Sequence, residues 1–357
     1  MSMGIPKKFK TARFKRETPA PLKFGADGKF KILHITDIHN VEPEMDDDEN
    51  REIPINKDKE TINVIEKLVE KTNPDLVVFG GDNISGYWEE FTYDFVKSTI
   101  ERITAPVRER NIPLCVVFGN HDGEEGFHPD FQMMQYMEYA NCRSNLNDAD
   151  VYGCGNCCVT IKSSNGEKDA FAIWLMDSND YEPNSEGSFG YDHVHSDQIA
   201  WYENRAAELR EANGGEPLPA ILFQHIPVQQ ELDGFKEVTE NDEYTFSRDG
   251  NYYYLGNKIQ EGRVREVPCP PNMEKNYRNQ FESWKKTGDI FAAFFGHDHI
   301  NDFRMNVDGI DLYQTLGAGY FTYGKERGGR LIVLDENNPR TLYTESIEIP
   351  RITDTEF

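Results

Sequence analysis

The hydrophobic positions of the chain fall into short apolar runs separated by stretches with helical spacing. Apolar runs predict core strands at residues 31–36, 75–79, 113–118, 219–224 and 291–295. Helical periodicity predicts helices at residues 58–72, 89–104, 196–212 and about 275–287. A hairpin is expected over residues 159–176, and later strands at 311–316, 330–335 and 341–348. Strands that alternate with helices predict a layered α/β fold.

Polar side chains follow the five core runs at the points where the runs stop. These strand ends carry Asp37 and His39, then Asp82, then Asn120 and His121, then His225, and finally His297 and His299. Residues i and i+2 of an extended chain point the same way, so the last two imidazoles face one place. A capping Asp or a satisfied core His would explain any single case. Because loops at the carboxyl ends of strands line one crevice in layered α/β folds, the set predicts one polar site.

The residue types at these strand ends suit metal ions. Carboxylate, amide and imidazole ligands without cysteine favour iron, manganese or zinc. Two such ions, divalent or trivalent, bridged by one carboxylate would form a two-metal hydrolytic centre. Asp82 suits the bridge, because a carboxylate has two oxygens and a negative charge to share between two cations.

Charge and hydropathy argue against nucleic-acid binding, membrane insertion and secretion. The 357 residues carry a net charge of -25, although residues 1–23 hold seven basic residues against one acidic residue. The rest of the chain, with 31 basic and 62 acidic residues, would repel a polyanion, so nucleic-acid binding is not expected. There is no apolar run long enough for a transmembrane helix and no apolar segment of a signal peptide, so a cytoplasmic location is expected. The pattern does not indicate an oligomeric state.

Three further motifs have a functional and a structural interpretation. Cys154, Cys157 and Cys158 have zinc-like spacing, but a second pair is missing, so reduced thiols are expected. The acidic residues 46–49 could bind calcium, although a solvated loop is far more common. His193 and His195 form a second His-x-His before the helix that begins at Ser196. They predict either a loop near the pocket or a third metal site.

In their order, the five blocks resemble those of the calcineurin-like metallophosphoesterases. The blocks read Asp-x-His, Gly-Asp-x, Gly-Asn-His-Asp, His and Gly-His-x-His over residues 37–299. The glycine-rich segment Gly317–Gly324 places the chain nearest to the purple-acid-phosphatase-related single-domain phosphoesterases. This resemblance implies a four-layer αββα sandwich of two mixed sheets flanked by helices. It also implies one domain over residues 30–350. The residues themselves predict an arm at 1–29, a tail at 351–357, and a polar surface excursion at 228–280 that could hold one hairpin.

The resemblance also implies a role for each site residue. Asp37, His39 and His299 would bind one metal, Asn120, His225 and His297 would bind the other, and Asp82 would bridge them. His121 would donate a proton to the leaving group, and Asp122 could orient His121. The implied reaction is hydrolysis of a small phosphomonoester or phosphodiester by metal-bound hydroxide. The alternative is a catalytically weak, metal-binding scaffold for protein interaction.

The chain departs from the purple acid phosphatases at two positions. Their metal-binding tyrosine corresponds to Ser85 here, with Tyr87 two residues further on, and they lack a ligand at the position of His39. The tyrosinate-to-iron colour is therefore not expected. Substrate specificity is expected to come from the loops at 40–57, 123–130, 179–196 and 228–280.

Overall fold

A computed structural model describes most of the chain. It covers residues 18–353 except 42, 44–48, 51, 87–91, 125–127, 185–188, 244, 249 and 273. Most of the predicted arm, part of the acidic stretch at 46–49, Tyr87 and the end of the predicted tail lie outside the described residues.

Five helices and eighteen strands are present in the described part of the chain. The helices are α1 (Glu52–Thr72), α2 (Tyr93–Arg108), α3 (Pro129–Met137), α4 (Ser196–Ala212) and α5 (Asn279–Thr287). The strands are β1 (Leu22–Lys23), β2 (Lys29–Ile35), β3 (Leu76–Gly80), β4 (Leu114–Val117), β5 (Cys157–Lys162), β6 (Asp169–Leu175), β7 (Tyr181–Pro183), β8 (Phe189–Tyr191), β9 (Ala220–Phe223), β10 (Phe235–Val238), β11 (Phe246–Arg248), β12 (Asn251–Leu255), β13 (Ile259–Arg263), β14 (Ile290–Phe295), β15 (Asp302–Val307), β16 (Ile310–Gln314), β17 (Gly328–Asp335) and β18 (Leu342–Glu348). None of these helices combines the length and apolarity that a membrane crossing requires.

Two large mixed sheets form the centre of the fold. One has five strands in the order β18-β17-β2-β3-β4, in which β2, β3 and β4 are parallel. The other has eight strands in the order β1-β5-β6-β9-β14-β16-β15-β13, in which β6, β9, β14 and β16 are parallel. The parallel strands are buried on both faces, and this accounts for their continuous apolar sequences.

Buried side chains join these sheets and the helices into four layers. One apolar cluster unites the two sheets face to face, with Ile32 and Val78 on one side and Phe223 and Phe294 on the other. A second cluster covers the outer face of the five-stranded sheet with α1, α2 and α3. A third covers the outer face of the eight-stranded sheet with α4 and α5. The expected α/β sandwich, helix layer on sheet on sheet on helix layer, is therefore confirmed.

The segment between β9 and α5 contains more structure than its polar composition predicts. Strands β10, β11 and β12 form a separate antiparallel sheet, and β13 pairs with β15 at the edge of the eight-stranded sheet. The alternation of Asp302, Arg304 and Asn306 with buried apolar residues hid β15 from a search for continuous apolar runs. Arg330 crosses from the other sheet to pair with Asp302 at 2.7 Å, which explains how polar residues are tolerated there.

Candidate metal centre

The five polar strand ends meet at one place where the two sheets face each other. β2, β3 and β4 of one sheet and β9 and β14 of the other each end two or three residues before a predicted ligand. All seven predicted ligands are buried, and none is more than 8% exposed. They are Asp37, His39, Asp82, Asn120, His225, His297 and His299.

Four of these residues form one tight group. The Nε2 atoms of His39 and His299 lie 3.1 Å apart. His299 Nε2 lies 3.5 Å from Asp37 Oδ1, and His39 Nε2 lies 3.5 Å from Asp82 Oδ2. Two imidazole nitrogens and two carboxylates that converge so closely match the spacing of ligands around a shared ion.

A second group shares Asp82 with the first. His225 Nε2 lies 2.9 Å from Asp82 Oδ2, the same oxygen that faces His39, and His297 completes the group. Asn120 adjoins the group, since the next residue donates its backbone N–H to Asp82 Oδ1 at 2.8 Å. Asn120 Oδ1 and His297 Nε2 are both buried and have no hydrogen-bond partner among the described residues. Because such atoms are costly to bury alone, these donors fit a pair of metal ions.

The protonation of the imidazoles also suits metal binding. Burial lowers the pKa of His39 and His297 well below the usual value and that of His299 to about 3. These rings are therefore neutral near pH 7, in the form that ligates a metal. Burial also opposes a charge on His225, but the carboxylates of Asp82 and Asp37 outweigh it and raise its pKa to about 9. Metal binding would displace that proton.

Four of the predicted ligands have backbone conformations that side chains rarely adopt. Asp37, His39, Asp82 and His297 have φ values of 51°, 43°, 48° and 75°. The neighbouring Gly81 has a φ of 98°, and a Cβ there would lie 2.6 Å from the His225 ring. Strain of this kind concentrates at functional sites, where the surrounding structure holds it in place.

Hydrogen bonds on the far side of two imidazoles fix their orientation. His225 donates from Nδ1 to the carbonyl of Gly80 at 2.9 Å. His299 Nδ1 lies 2.7 Å from Thr322 Oγ1. Contacts of this type set the tautomer so that Nε2 is left to face an ion. A further histidine, His34 of β2, is buried nearby, with Nδ1 2.9 Å from Thr315 Oγ1.

His121 lies beside the centre, and its ring centroid is 5.1 Å from that of His39. Its Nδ1 lies 2.6 Å from Glu124 Oε2. The other Glu124 oxygen accepts a hydrogen bond of 2.6 Å from the Tyr181 hydroxyl, which in turn accepts one of 2.8 Å from Asn120. Burial opposes a charge on His121, but Asp82 and Glu124 outweigh it and raise the pKa of His121. Glu124 and Tyr181 were missed at the sequence level, although the three-residue spacing from His121 to Glu124 was a usable signal.

Asp122 has a different position from the one expected for a partner of His121. Its Oδ1 accepts the backbone N–H groups of Asn83 and Ile84 at 2.9 and 3.0 Å, and its Oδ2 accepts that of Gly119 at 2.8 Å. These contacts fasten the loop after β3 to the loop after β4. Asp122 was expected to orient His121, but the carboxylate that lies against the His121 ring is that of Glu124.

A comparison with known protein families agrees with this geometry. The sequence model of the calcineurin-like phosphoesterases matches residues 30–301. The chain belongs to this family. The calcineurin-like fold and the buried cluster of His and Asp residues together support two metal ions.

Two relatives of this calcineurin-like phosphoesterase come from Arabidopsis thaliana. "Probable inactive purple acid phosphatase 14" is 29% identical over 90% of this chain and 79% of its own length. "Probable inactive purple acid phosphatase 29" is 28% identical over 89% of this chain and 80% of its own length. A crystal structure of a dimetal phosphatase from Danio rerio is similar with a TM-score of 0.50 and 13% identity, covering 90% of this chain and 99% of that one. At that identity the likeness concerns the fold alone.

The remaining sequence candidates are Ser85, the cysteines and the second His-x-His pair. Ser85 is buried without a hydrogen-bond partner for Oγ among the described residues. No cysteine joins a metal-ligand group within the described ranges, so the zinc-like cysteine spacing forms no cluster there. His193 and His195 do form such a group, together with Asp192.

Proposed function

We propose that this protein is a metal-dependent hydrolase of phosphomonoesters or phosphodiesters. The observation that carries the proposal is the arrangement of seven buried ligand-type side chains beside the partly exposed His121 ring. A binding surface alone would not need that histidine, nor the carboxylate and tyrosine that hold it.

The ligand atoms divide between two ions in the proposed centre. Asp37, His39 and His299 would hold one, and Asn120, His225 and His297 would hold the other. Asp82, whose Oδ2 faces both His39 and His225, would be shared between the two ions. When bound, the two ions would supply activated water near neutral pH and neutralise the charge of the phosphate oxygens.

His121 is the proposed general acid. Asp82 and Glu124 raise the pKa of His121, which favours the protonated ring that could donate a proton to the leaving oxygen. Glu124 takes the role expected of Asp122, because its carboxylate lies against His121 Nδ1 and leaves Nε2 directed away from it. Tyr181 fixes the other oxygen of that carboxylate.

The second candidate function is a metal-binding scaffold without catalysis. The names of the two plant relatives, which both contain the word inactive, favour it. The two candidates differ at His121, since a scaffold needs the ligands but gains nothing from a held proton donor.

The test compares the parent with His121→Ala and Asp82→Asn after loading with manganese, zinc or iron. The parent should hydrolyse p-nitrophenyl phosphate, bis-p-nitrophenyl phosphate or both. His121→Ala should keep its metal and lose about 10²–10⁴-fold in kcat on an alkyl phosphate. His128→Ala is a matched control, since His128 is an exposed histidine seven residues further on.

Two results would decide against parts of the proposal. An inactive parent with two bound metals, whichever metal is supplied, would favour the scaffold. Asp82→Asn should lose metal by elemental analysis, and full occupancy in that variant would remove Asp82 from the bridging position.

A further inference from the structure

The loop between β8 and α4 contains a second group of metal-ligand side chains. Val194 is buried, at 3% exposed, so the residues on either side of it, His193 and His195, direct their rings to the same outer side. His193 Nδ1 lies 2.9 Å from Asp192 Oδ1, and His195 Nε2 lies 3.0 Å from Asp192 Oδ2. Two imidazole nitrogens thus converge on one buried carboxylate.

The two imidazoles are held in a stack of four rings. His195 stacks on Tyr152 with centroids 4.0 Å apart and on His193 at 4.6 Å, and His193 stacks on Tyr277 at 3.5 Å. The ends of the stack are fixed, since the Tyr277 hydroxyl donates to Glu182 at 2.7 Å and the Tyr152 backbone N–H is bound by Asp197. The nitrogens are therefore held in place by packing, as a preformed ligand set requires.

The surroundings of the group favour a cation. Burial and the carboxylates of Asp192, Asp180, Asp177 and Asp197 raise the pKa of Tyr152, which places four acidic groups around this loop. Among the described residues, the ion-pair partners of Asp192 are His193 and His195, and no Lys or Arg is among them. The nearby Lys275, which lies over the Tyr277 ring, is paired with Glu182 at 2.7 Å. The carboxylates around the loop would therefore attract a positive ion.

One nitrogen of the group is unpartnered within the described part of the chain. His193 Nδ1 is buried and makes no hydrogen bond with a described residue, although a carboxylate oxygen lies 2.9 Å away. A nitrogen and an oxygen that are close but not aligned for a hydrogen bond fit two ligands directed at a common ion. The nitrogen itself is buried, but the side chains of His193 and His195 are 22% and 29% exposed, so the group lies next to solvent.

We propose that Asp192, His193 and His195 bind a divalent transition-metal ion at a third site, separate from the two-metal centre. Two imidazoles and one carboxylate suit zinc, cobalt or manganese and leave coordination positions open. The site adjoins the two-metal centre, because Tyr191, the residue before Asp192, lies edge-on to His297 with ring centroids 4.3 Å apart. The proposal does not depend on hydrolytic activity.

The test measures metal per chain by elemental analysis after the full chain is saturated with zinc and dialysed. His193→Phe keeps an aromatic ring between Tyr277 and His195 but removes the ligand nitrogen, so it should bind about one equivalent less than the parent. Tyr277→Phe is the matched control, since it keeps the stack and both imidazoles, and it should bind as much as the parent.

Cobalt titration followed by visible absorption gives a second measurement that does not involve activity. The parent should show a cobalt signal that His193→Phe lacks, while Asp82→Asn should retain that signal and lose others. Equal metal content and equal spectra in the parent and His193→Phe would overturn the third site. They would leave the two-metal proposal standing, because that one is tested by Asp82→Asn.

Discussion

Asp122 is expected to be the connection that holds two ligand loops in register. Its carboxylate accepts three buried backbone N–H groups, two from the loop after β3 and one from the residue before Asn120. In Asp122→Ala all three lose their acceptor. At about 1–3 kcal/mol for each unsatisfied buried group, unfolding should become easier by about 3–9 kcal/mol, nearer the lower end if water enters.

Asp122→Asn provides the matched comparison. Its amide oxygen can occupy the Oδ1 position and keep the bonds from Asn83 and Ile84, but its NH₂ group would then face the Gly119 N–H as a second donor. One lost acceptor predicts a smaller destabilisation of about 1–3 kcal/mol.

Urea unfolding of the metal-free proteins, followed by tryptophan fluorescence, gives the midpoints that test this ranking. The order from most to least stable should be parent, Asp122→Asn, Asp122→Ala, with similar slopes against urea concentration. Equal midpoints for the two variants would refute the count of lost acceptors. An unchanged Asp122→Ala midpoint would refute the connecting role altogether.

Three further predictions concern other contacts. Glu124→Gln should lower kcat on alkyl phosphates by about 10- to 100-fold at constant metal content, because a neutral amide stabilises the protonated His121 less than a carboxylate does. Tyr181→Phe should lower kcat by a smaller factor. A kcat equal to that of the parent in both variants would contradict this. Burial raises the pKa of Glu231 to about 8 against the opposing hydrogen bond from Gln314, so the unfolded chain releases this proton first and stability falls between about pH 4.5 and 8. Glu231→Gln should therefore gain stability over the parent as pH rises through that window, and parallel melting curves would contradict it. Gly81→Ala should destabilise by about 1–3 kcal/mol, and an unchanged Tm would contradict the crowding against His225.

The sequence predicted the elements whose apolar pattern is continuous. Strands β2, β3, β4, β9 and β14 lie within two residues of their expected positions, because each is buried on both faces. α1 begins at Glu52 rather than 58, since Pro54 lies in its first turn, where a missing N–H costs nothing. α3 was missed because it has only nine residues, Pro129–Met137, and little separation of apolar and polar faces.

The candidate site was predicted better than its surroundings. The polar residues at the five strand ends could be named because each lies two to four residues after a core strand, and strand ends are set by local pattern. Their division into seven expected ligands and His121 came from the family resemblance. The groups that hold His121 and Asp122 could not be predicted. Tyr181, which bonds Glu124, comes from a distant strand, and the backbone N–H groups that Asp122 binds have no sequence signature. The ring stack around His193 likewise joins residues 152 to 277, which are distant in sequence.

The left-handed backbone conformations of Asp37, His39, Asp82 and His297 determine which substitutions can change metal binding without also destabilising the fold. Outside glycine, Asn, Asp and His accept this region most readily, so the ligands that suit a metal are also those that tolerate the backbone. An alanine there would add a conformational cost of about 1–2 kcal/mol to the loss of the ligand atom. Asparagine keeps the tolerated backbone while altering the ligand chemistry, so an asparagine scan of these positions would report on metal binding where an alanine scan would report on both at once.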